Sequence, residues 1–447
     1  MAPVSLAPVA RPFVAFVERW YPDAYVFAIL LTGVTFAAAL LLTETSAPQA
    51  LDLWGDGLSA LLSFTTQIAL TLVLAHALAH TDRIQALLER VAEWPRTPFS
   101  AYATVAVTAS AASLVAWSLG LAAGALLARA VARAGARRGL ALDYPLLVAS
   151  AYSGFVVWHM GYSGSSPLFV ATPGHALEGV TGIIPVTDTI LAPWNIAIAA
   201  VVVPAVALLC GLMHPRHPTV LAGDDGSSDA APGLPTPHSP GQRLEQWRPL
   251  SAAMGALIAL WLARRFWQAG PALDLNLVNW SFLAAGLLLA RSPLHYVQLV
   301  TRAGATLGPI LLQYPFYAGI MALMTGTGLV VVLSDAFVRL ASADTLAFWA
   351  FLSGGVINFF VPSGGGQWVV QGPVFVEAAR TLGVPYAEVV MGVAYGDQWS
   401  NLIQPFWTIP LLAIAGLPMR AVLGYSFLSF ILSGGLFAAG LLWVGAS

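Results

Sequence analysis

The chain has 447 residues and a formal net charge of −2; 58% of its residues are hydrophobic and only 9% are charged. A soluble domain is about one quarter charged, so this composition excludes an ordinary soluble protein, and the near-neutral balance leaves no basic footprint for nucleic acid. Cys210 is the single cysteine, which excludes an internal disulfide.

In chain order, the opening residues lack the short apolar core and small-residue cleavage site of a signal peptide, so the first apolar run reads as a retained spanning helix. Runs of spanning length fall near 22–43, 58–80, 144–170, 190–213, 249–268, 276–291, 302–325, 386–415 and 421–445. Two more apolar stretches, 98–135 and 345–380, are interrupted at "AWSLG" (116–120) and "VPSGGGQ" (361–367). Each is predicted to be a pair of half-helices that dips into the membrane and returns. The segments 80–94 and 325–340 precede them as interfacial helices. Residues 214–248 form a polar linker rich in Gly, Pro and Ser.

The chain contains no lysine, so arginine sets the topology. With the N-terminus inside and both hairpins returning to their own side, only Arg264, Arg265, Arg339 and Arg380 lie outside, in keeping with the positive-inside bias. A constant offset of 243 relates the halves: Ala151-Tyr152 to Ala394-Tyr395, Pro167 to Pro410, Arg137 to Arg380, and Trp117–Gly120 to Phe360–Ser363. The predicted fold is therefore an all-α polytopic membrane protein made of two inverted repeats, 1–213 and 269–447, joined by linker 214–248 and connector helix 249–268. Each repeat carries a re-entrant hairpin (98–135, 345–380) and a broken helix (144–170, 386–415). Inverted repeats with broken helices meeting at the midplane are the mark of a secondary transporter.

The chemistry should sit at four breaks: 116–120, 158–167, 361–367 and 396–405. Half-helix N-termini suit a carboxylate, and freed carbonyls suit Na⁺. Ser118, Ser163, Ser165, Ser166, Ser363, Gly364, Gly365, Gly366 and Gln367 are the expected substrate contacts. Trp117, Gly120, Asn358, Asp397, Ser400 and Asn401 are expected to serve the coupled cation, with His159, Gln398 and Gln404 nearby. The bland alternative is that small residues such as Gly120-x-x-x-Gly124 only let helices pack closely. Asp397 is the one acid placed inside a break, and intramembrane carboxylates are usually functional. His159 could titrate near neutrality or be a bonded core histidine. No arginine lies near the centre of a predicted span, which favours a small monoanion over a dicarboxylate. Aromatics around the breaks would suit a short alkyl tail or simple packing. "HALAH" (76–80) lacks the glutamate of a zinc protease, and no phosphate-binding loop is present.

Several stretches, "RWYPDAYVFAILLT", "DYPLLVASAYSGF", "GSSPLFVATPG", "NFFVPSGGGQWVVQGP" and "AYGDQWSNLIQPFW", resemble the bacterial short-chain fatty acid transporters of the acetoacetate and butyrate uptake type, within the ion transporter superfamily. The resemblance runs from about residue 11 to the C-terminus. It departs at His159, where the family often has glycine, and at Asp397, where glutamate also occurs. It implies a homodimer in the bacterial cytoplasmic membrane; the arginine topology, with the N-terminus inside, puts the C-terminus outside. A scaffold would face the partner, and a mobile transport domain (98–170 and 345–415) would move by an elevator-like mechanism. The implied function is cation-coupled symport of a small monocarboxylate, not catalysis. Alternatives are a carrier of the same fold for an amino-acid-like or aromatic monoacid, a passive channel, and an acyl-group enzyme using His159 with Ser163. Sequence leaves Na⁺ and H⁺ open as the coupling ion.

Overall fold

The computed structural model describes residues 6–221, 236–269, 275–304 and 307–446, and every element among them is helical. Part of the predicted linker, 222–235, and the junction after the connector, 270–274, lie outside the described residues. Helices α1 (Ala7–Trp20), α2 (Ala24–Leu42), α3 (Ala47–Gly57), α4 (Leu62–Ala79) and α5 (Asp82–Ala92) lead to a hairpin of α6 (Pro98–Val115) and α7 (Trp117–Arg137). Next, α8 (Tyr144–Gly154) runs into a 3-10 turn, Phe155–Met160, followed by α9 (Ser165–Val170), α10 (Glu178–Thr181) and α11 (Pro193–Leu212). The middle of the chain holds α12 (Pro240–Glu245), α13 (Arg248–Ala269), α14 (Leu275–Leu289), α15 (Pro293–Gly304), α16 (Gly308–Gly326) and α17 (Leu329–Val338). The second hairpin is α18 (Leu346–Asn358) and α19 (Gly364–Leu382). After it come α20 (Tyr386–Ser400), a 3-10 turn Asn401–Ile403, α21 (Pro405–Ala415) and α22 (Met419–Gly445).

Local chemistry sets these boundaries. Asp23 caps α2 by accepting from the Tyr25 N–H at 2.9 Å, and Thr97 with Ser100 forms a capping box ahead of Pro98. Asp143 opens α8, accepting from the Leu146 N–H at 2.8 Å, and its other oxygen accepts from the Thr219 N–H at 2.8 Å. Six helical segments among the described residues are long and apolar enough to cross a membrane: α2, the α3–α4 run, α6, α7, α11 and α22. The predicted connector, α13, is not among them; Arg264 and Arg265 lie near its C-terminal end. The predicted span 302–325 divides, because its first residues end α15 and the remainder forms α16.

The first interrupted stretch folds back on itself as expected. A methyl at Gly120 would overlap Ser113, and one at Gly124 would lie 3.2 Å from the Ala109 Cβ, so α6 and α7 are antiparallel and nearly in backbone contact. Small residues permit this approach where no hydrophobic force drives helices together. The components are not half-helices, however: α6 has 18 residues and α7 has 21, about 27 and 32 Å of rise. The hairpin returns Arg129, Arg133 and Arg137 to the side of α5, where with Arg291 they line a cleft of about 360 Å³. These four are among the arginines assigned to the inner side.

Both hairpins lie against a broken helix in the same way. Gly154 abuts the Ala106 carbonyl and Gly161 the Leu114 carbonyl, so α6 runs parallel to the α8 segment. In the second half Gly392 abuts the Ala347 carbonyl and Gly396 the Phe351 carbonyl, so α18 runs parallel to α20. α5 packs on α7 as α17 packs on α19.

Candidate transport site

The breaks differ in position from the sequence expectation. The first hairpin breaks at one residue, Ala116, with φ −153° and ψ 126°, so Trp117–Gly120 form the first turn of α7. The second breaks over Phe359–Ser363, and Gly364, Gly365 and Gly366, expected within the break, open α19 instead. Their first-turn N–H groups have no side-chain cap. Asp397 is not inside the break either; it lies in the last turn of α20, one turn before the 3-10 segment, because α20 stays helical through Ser400.

The 159–166 segment joins the two tips. Ser163 Oγ accepts from the Trp117 N–H at 2.8 Å, holding the start of α7. Ser166 Oγ donates to the Gly364 carbonyl at 2.8 Å, holding the start of α19. The His159 ring lies against the Gly364 Cα, where a methyl would collide with its edge and sit 2.8 Å from Ser165 Oγ. Glycine is required there by close approach rather than by φ. Gly365 lies near Ser165, and Ser363 sits beside Gly366. Ser118 and Gly120 do not join this group. Ser118 lines a cleft of about 10 Å³ with Trp117, Thr71 and Pro410, and Gly120 faces Ser113.

Around Asp397 the side chains of Asn358, Ser400 and Asn401 form one buried network, with three glutamines, Gln367, Gln398 and Gln404, bonded separately. Asn358 Nδ2 donates to the Asp397 carbonyl (3.1 Å), Ser400 Oγ (2.8 Å) and Asn401 Oδ1 (2.6 Å). Asn401 Nδ2 donates to Asp397 Oδ1 at 3.1 Å. Gln367 closes the second hairpin, donating to the Gly354 carbonyl (2.9 Å) and to Gln371 Oε1 (3.0 Å). Gln398 Oε1 accepts from the His159 N–H at 2.9 Å, and Gln404 Oε1 accepts from the Phe406 N–H at 3.0 Å.

These bonds fix each amide's orientation, since a carbonyl must receive an NH₂ and a backbone N–H must meet an oxygen. What remains unpaired then sorts by sign. Of the site residues named above, Asp397 Oδ2, Asn358 Oδ1 and Gln367 Oε1 are buried acceptors with no hydrogen-bond partner. At the 158–160 and 398–407 breaks the buried donors without a partner are Gln398 Nε2, Gln404 Nε2, Trp158 Nε1 and Trp407 Nε1, and both His159 ring nitrogens are also unpaired. His159 Nε2 comes no closer than 3.7 Å to Asp397 Oδ2, beyond hydrogen-bond length. An unpaired buried polar group costs about 1–3 kcal/mol, a cost that a bound water, ion or ligand would relieve.

Residues outside the expected set hold the broken backbone. The Tyr152 hydroxyl donates to the Asn401 carbonyl in the second break. Its offset partner Tyr395 donates to Asn195 Oδ1 at 2.6 Å, and Asn195 Nδ2 donates to the Met160 carbonyl at 3.1 Å in the first break. Each half thus steadies the other's break through the same position. Tyr21, from the N-terminal motif, donates to the Ile403 carbonyl at 2.9 Å. A tyrosine hydroxyl in an apolar helix needs a partner, which was the available signal; the identity of that partner was not in the sequence.

Residues 5–444 match the short chain fatty acid transporter family. The chain belongs to that family. A protein of Escherichia coli is 41% identical over 437 residues, covering 97% of this chain and 98% of the relative. One of Haemophilus influenzae is 36% identical over 449 residues, covering 97% and 98%; both are named after this family. Among solved structures, the Alcanivorax borkumensis YdaH transporter aligns with a TM-score of 0.41 at 17% identity, covering 98% of each chain. Neisseria gonorrhoeae MtrF aligns with a TM-score of 0.39 at 14% identity, covering 98% of this chain and 97% of that one. The resemblance drawn from the sequence motifs is therefore correct at the level of family. The family is one of multi-pass membrane transporters.

Proposed function

We propose that this protein is a secondary active transporter that moves short-chain monocarboxylates, of the butyrate and acetoacetate type, across the cytoplasmic membrane by cation-coupled symport. The cargo class rests on family membership. The coupling rests on one observation: Asp397 Oδ2 and Asn358 Oδ1 are fully buried acceptors with no hydrogen-bond partner, the nearest cationic candidate being His159 Nε2 at 3.7 Å from Oδ2. A carboxylate and neutral oxygens form a donor set suited to Na⁺, which takes oxygen ligands from side chains and freed carbonyls at broken helices. Asp397 and Asn358 would hold the ion, with Ser400 and Asn401 fixing their orientation. A bound Na⁺ would supply positive charge beside the substrate anion.

The reciprocal Tyr152 and Tyr395 contacts, and the matched packing of each hairpin on its broken helix, support two repeats of opposite orientation. Movement of a transport domain containing 98–170 and 345–415 against a scaffold, in a homodimer with the N-terminus inside and the C-terminus outside, completes the proposal. The 10 Å³ cleft between the α7 tip, α4 and α21 holds no more than about one water, so cargo entry requires these elements to separate.

Uptake of labelled butyrate by proteoliposomes containing the purified chain tests the reading. Saturable uptake, competed by acetoacetate and other short monoacids but not by dicarboxylates, is expected. Competition by amino-acid-like or aromatic acids alone would assign another cargo, and equilibration without accumulation would identify a channel.

A further inference from the structure

We infer that the indole N–H groups of Trp158 and Trp407 are the carboxylate-binding donors of the transport site, assisted by the amide NH₂ groups of Gln398 and Gln404. The inference rests on the transport reading above and names the residues that would recognise the anion. The two indoles come from opposite breaks, Trp158 from the 3-10 turn after α8 and Trp407 from the first turn of α21. Their ring centroids are 5.9 Å apart, their residues are 1% and 3% exposed, and neither Nε1 has a partner. A buried N–H without an acceptor is unfavourable, and phenylalanine would fill much of the same space without that cost. Of the expected serines, Ser166 already gives its hydroxyl proton to the Gly364 carbonyl, whereas Ser163 only accepts from the Trp117 N–H and could add one donor beside the indoles.

Two amides sit on the same two breaks as the indoles. Gln398 bonds to the backbone of the residue after Trp158, and Gln404 caps the helix that carries Trp407. Each uses its oxygen for that bond, so each leaves an NH₂ donor. An unpaired indole alone is not diagnostic: Trp54 and Trp368 also have one, but Trp54 lies against Gly319 and Trp368 against Gly372 of its own helix, with no second free donor indicated beside either.

The chemistry fits a small monoanion with a short apolar tail. No arginine occurs between residues 139 and 215 or between 381 and 419, so the segments that carry the two breaks offer a carboxylate neutral donors rather than a guanidinium. Phe155 stacks on Trp158 at 5.7 Å, Trp117 meets Trp407 edge-on at 4.9 Å, and Phe64 of α4 lies 6.1 Å from Trp407. These rings would wall a chain of a few carbons, and Phe64 and Trp117 come from the elements that must separate for entry.

The test is the concentration dependence of butyrate uptake by Trp158→Phe and Trp407→Phe in proteoliposomes, with Trp54→Phe as a control that also removes an unpaired buried indole N–H. Each site variant should raise the half-saturating butyrate concentration about tenfold, the effect of one charge-assisted hydrogen bond, while leaving the half-saturating cation concentration nearly unchanged. The control should match wild type. Should the variants fail to fold, ¹⁵N-indole NMR of the wild-type protein gives the same answer: butyrate should shift two of its tryptophan indole N–H resonances strongly downfield. Wild-type half-saturation in both variants, or no indole shift on butyrate addition, overturns the indole assignment alone. Absence of saturable uptake by wild type overturns the transport reading and this assignment with it.

Discussion

Replacing Asp397 with asparagine separates a cation ligand from a structural cap. Asp397 Oδ1 accepts one hydrogen bond, from Asn401 Nδ2 at 3.1 Å, and Oδ2 accepts none. The bonds from Asn358 and Ser400 go to the Asp397 backbone carbonyl, which the substitution leaves in place. An asparagine oxygen can keep the Asn401 bond, so the loss of folding stability should stay within about one hydrogen bond, ~0.5–1.5 kcal/mol. The effect on the ion should be larger. Losing an interaction with a charged group costs about 1.5–3 kcal/mol, which at 1.4 kcal/mol per decade raises the half-saturating cation concentration roughly tenfold to a hundredfold. Butyrate uptake measured against Na⁺ and against pH, alongside thermal melts, reads both quantities. Wild-type cation dependence with a lowered melting temperature would refute the reasoning and reduce Asp397 to a cap.

Further expectations follow from close contacts and from one surface pair. Gly364→Ala should abolish most uptake by driving a methyl into the His159 ring. Adding His159→Gly should restore part of it by removing that ring; no restoration in an uptake assay would show that the contact is not limiting. Gly396→Ala should destabilise by about 1–3 kcal/mol, because a methyl there meets the Phe351 carbonyl, which cannot rotate away. Gly33→Ala, with nothing within 4 Å, should be neutral or stabilising by about 0.5–1 kcal/mol; melting temperatures compare the two. Arg291 donates to both Asp82 oxygens at 2.9 and 2.7 Å and holds that carboxyl below its usual range. The contribution is therefore present above the unfolded value near pH ~3.9 and is lost as pH falls through the lower folded value. The two side chains are 53% and 56% exposed, so Asp82→Asn should cost only ~0.2–1 kcal/mol at pH 7, with the difference from wild type closing in melts at pH 3.

Apolar run length made four of the six span-length helices legible, those near 22–43, 58–80, 190–213 and 421–445, whereas α6 and α7 read as half-helices because their shared stretch is interrupted at its centre. The broken segments were also legible in outline, since a run of glycines beside a proline disfavours a continuous helix wherever it interrupts an apolar stretch. Their boundaries were not. The break at Ala116 has neither glycine nor proline; it arises where the Trp117 N–H turns to Ser163, 46 residues away. The glycines at 364–366 read as a break because helix propensity disfavours them, yet they open α19 where His159 needs room. Ser118 and Ser163 looked equivalent as hydroxyls near tips, but only three-dimensional placement shows one facing a cleft beside α4 and the other holding a helix start. The tyrosine supports were invisible for the same reason. Tyr152 and Tyr395 occupy offset-related positions in the sequence, but nothing local indicates that each reaches into the opposite half.

The most direct test of the account is the accumulation of labelled butyrate by wild-type proteoliposomes when the inward cation gradient is imposed and then collapsed. Internal butyrate should rise above the external concentration under an inward Na⁺ gradient and fall back when an ionophore dissipates that gradient, at fixed pH. Accumulation that ignores Na⁺ and follows only a proton gradient would contradict Na⁺ coupling at Asp397, and uptake that never exceeds equilibrium would contradict secondary active transport itself.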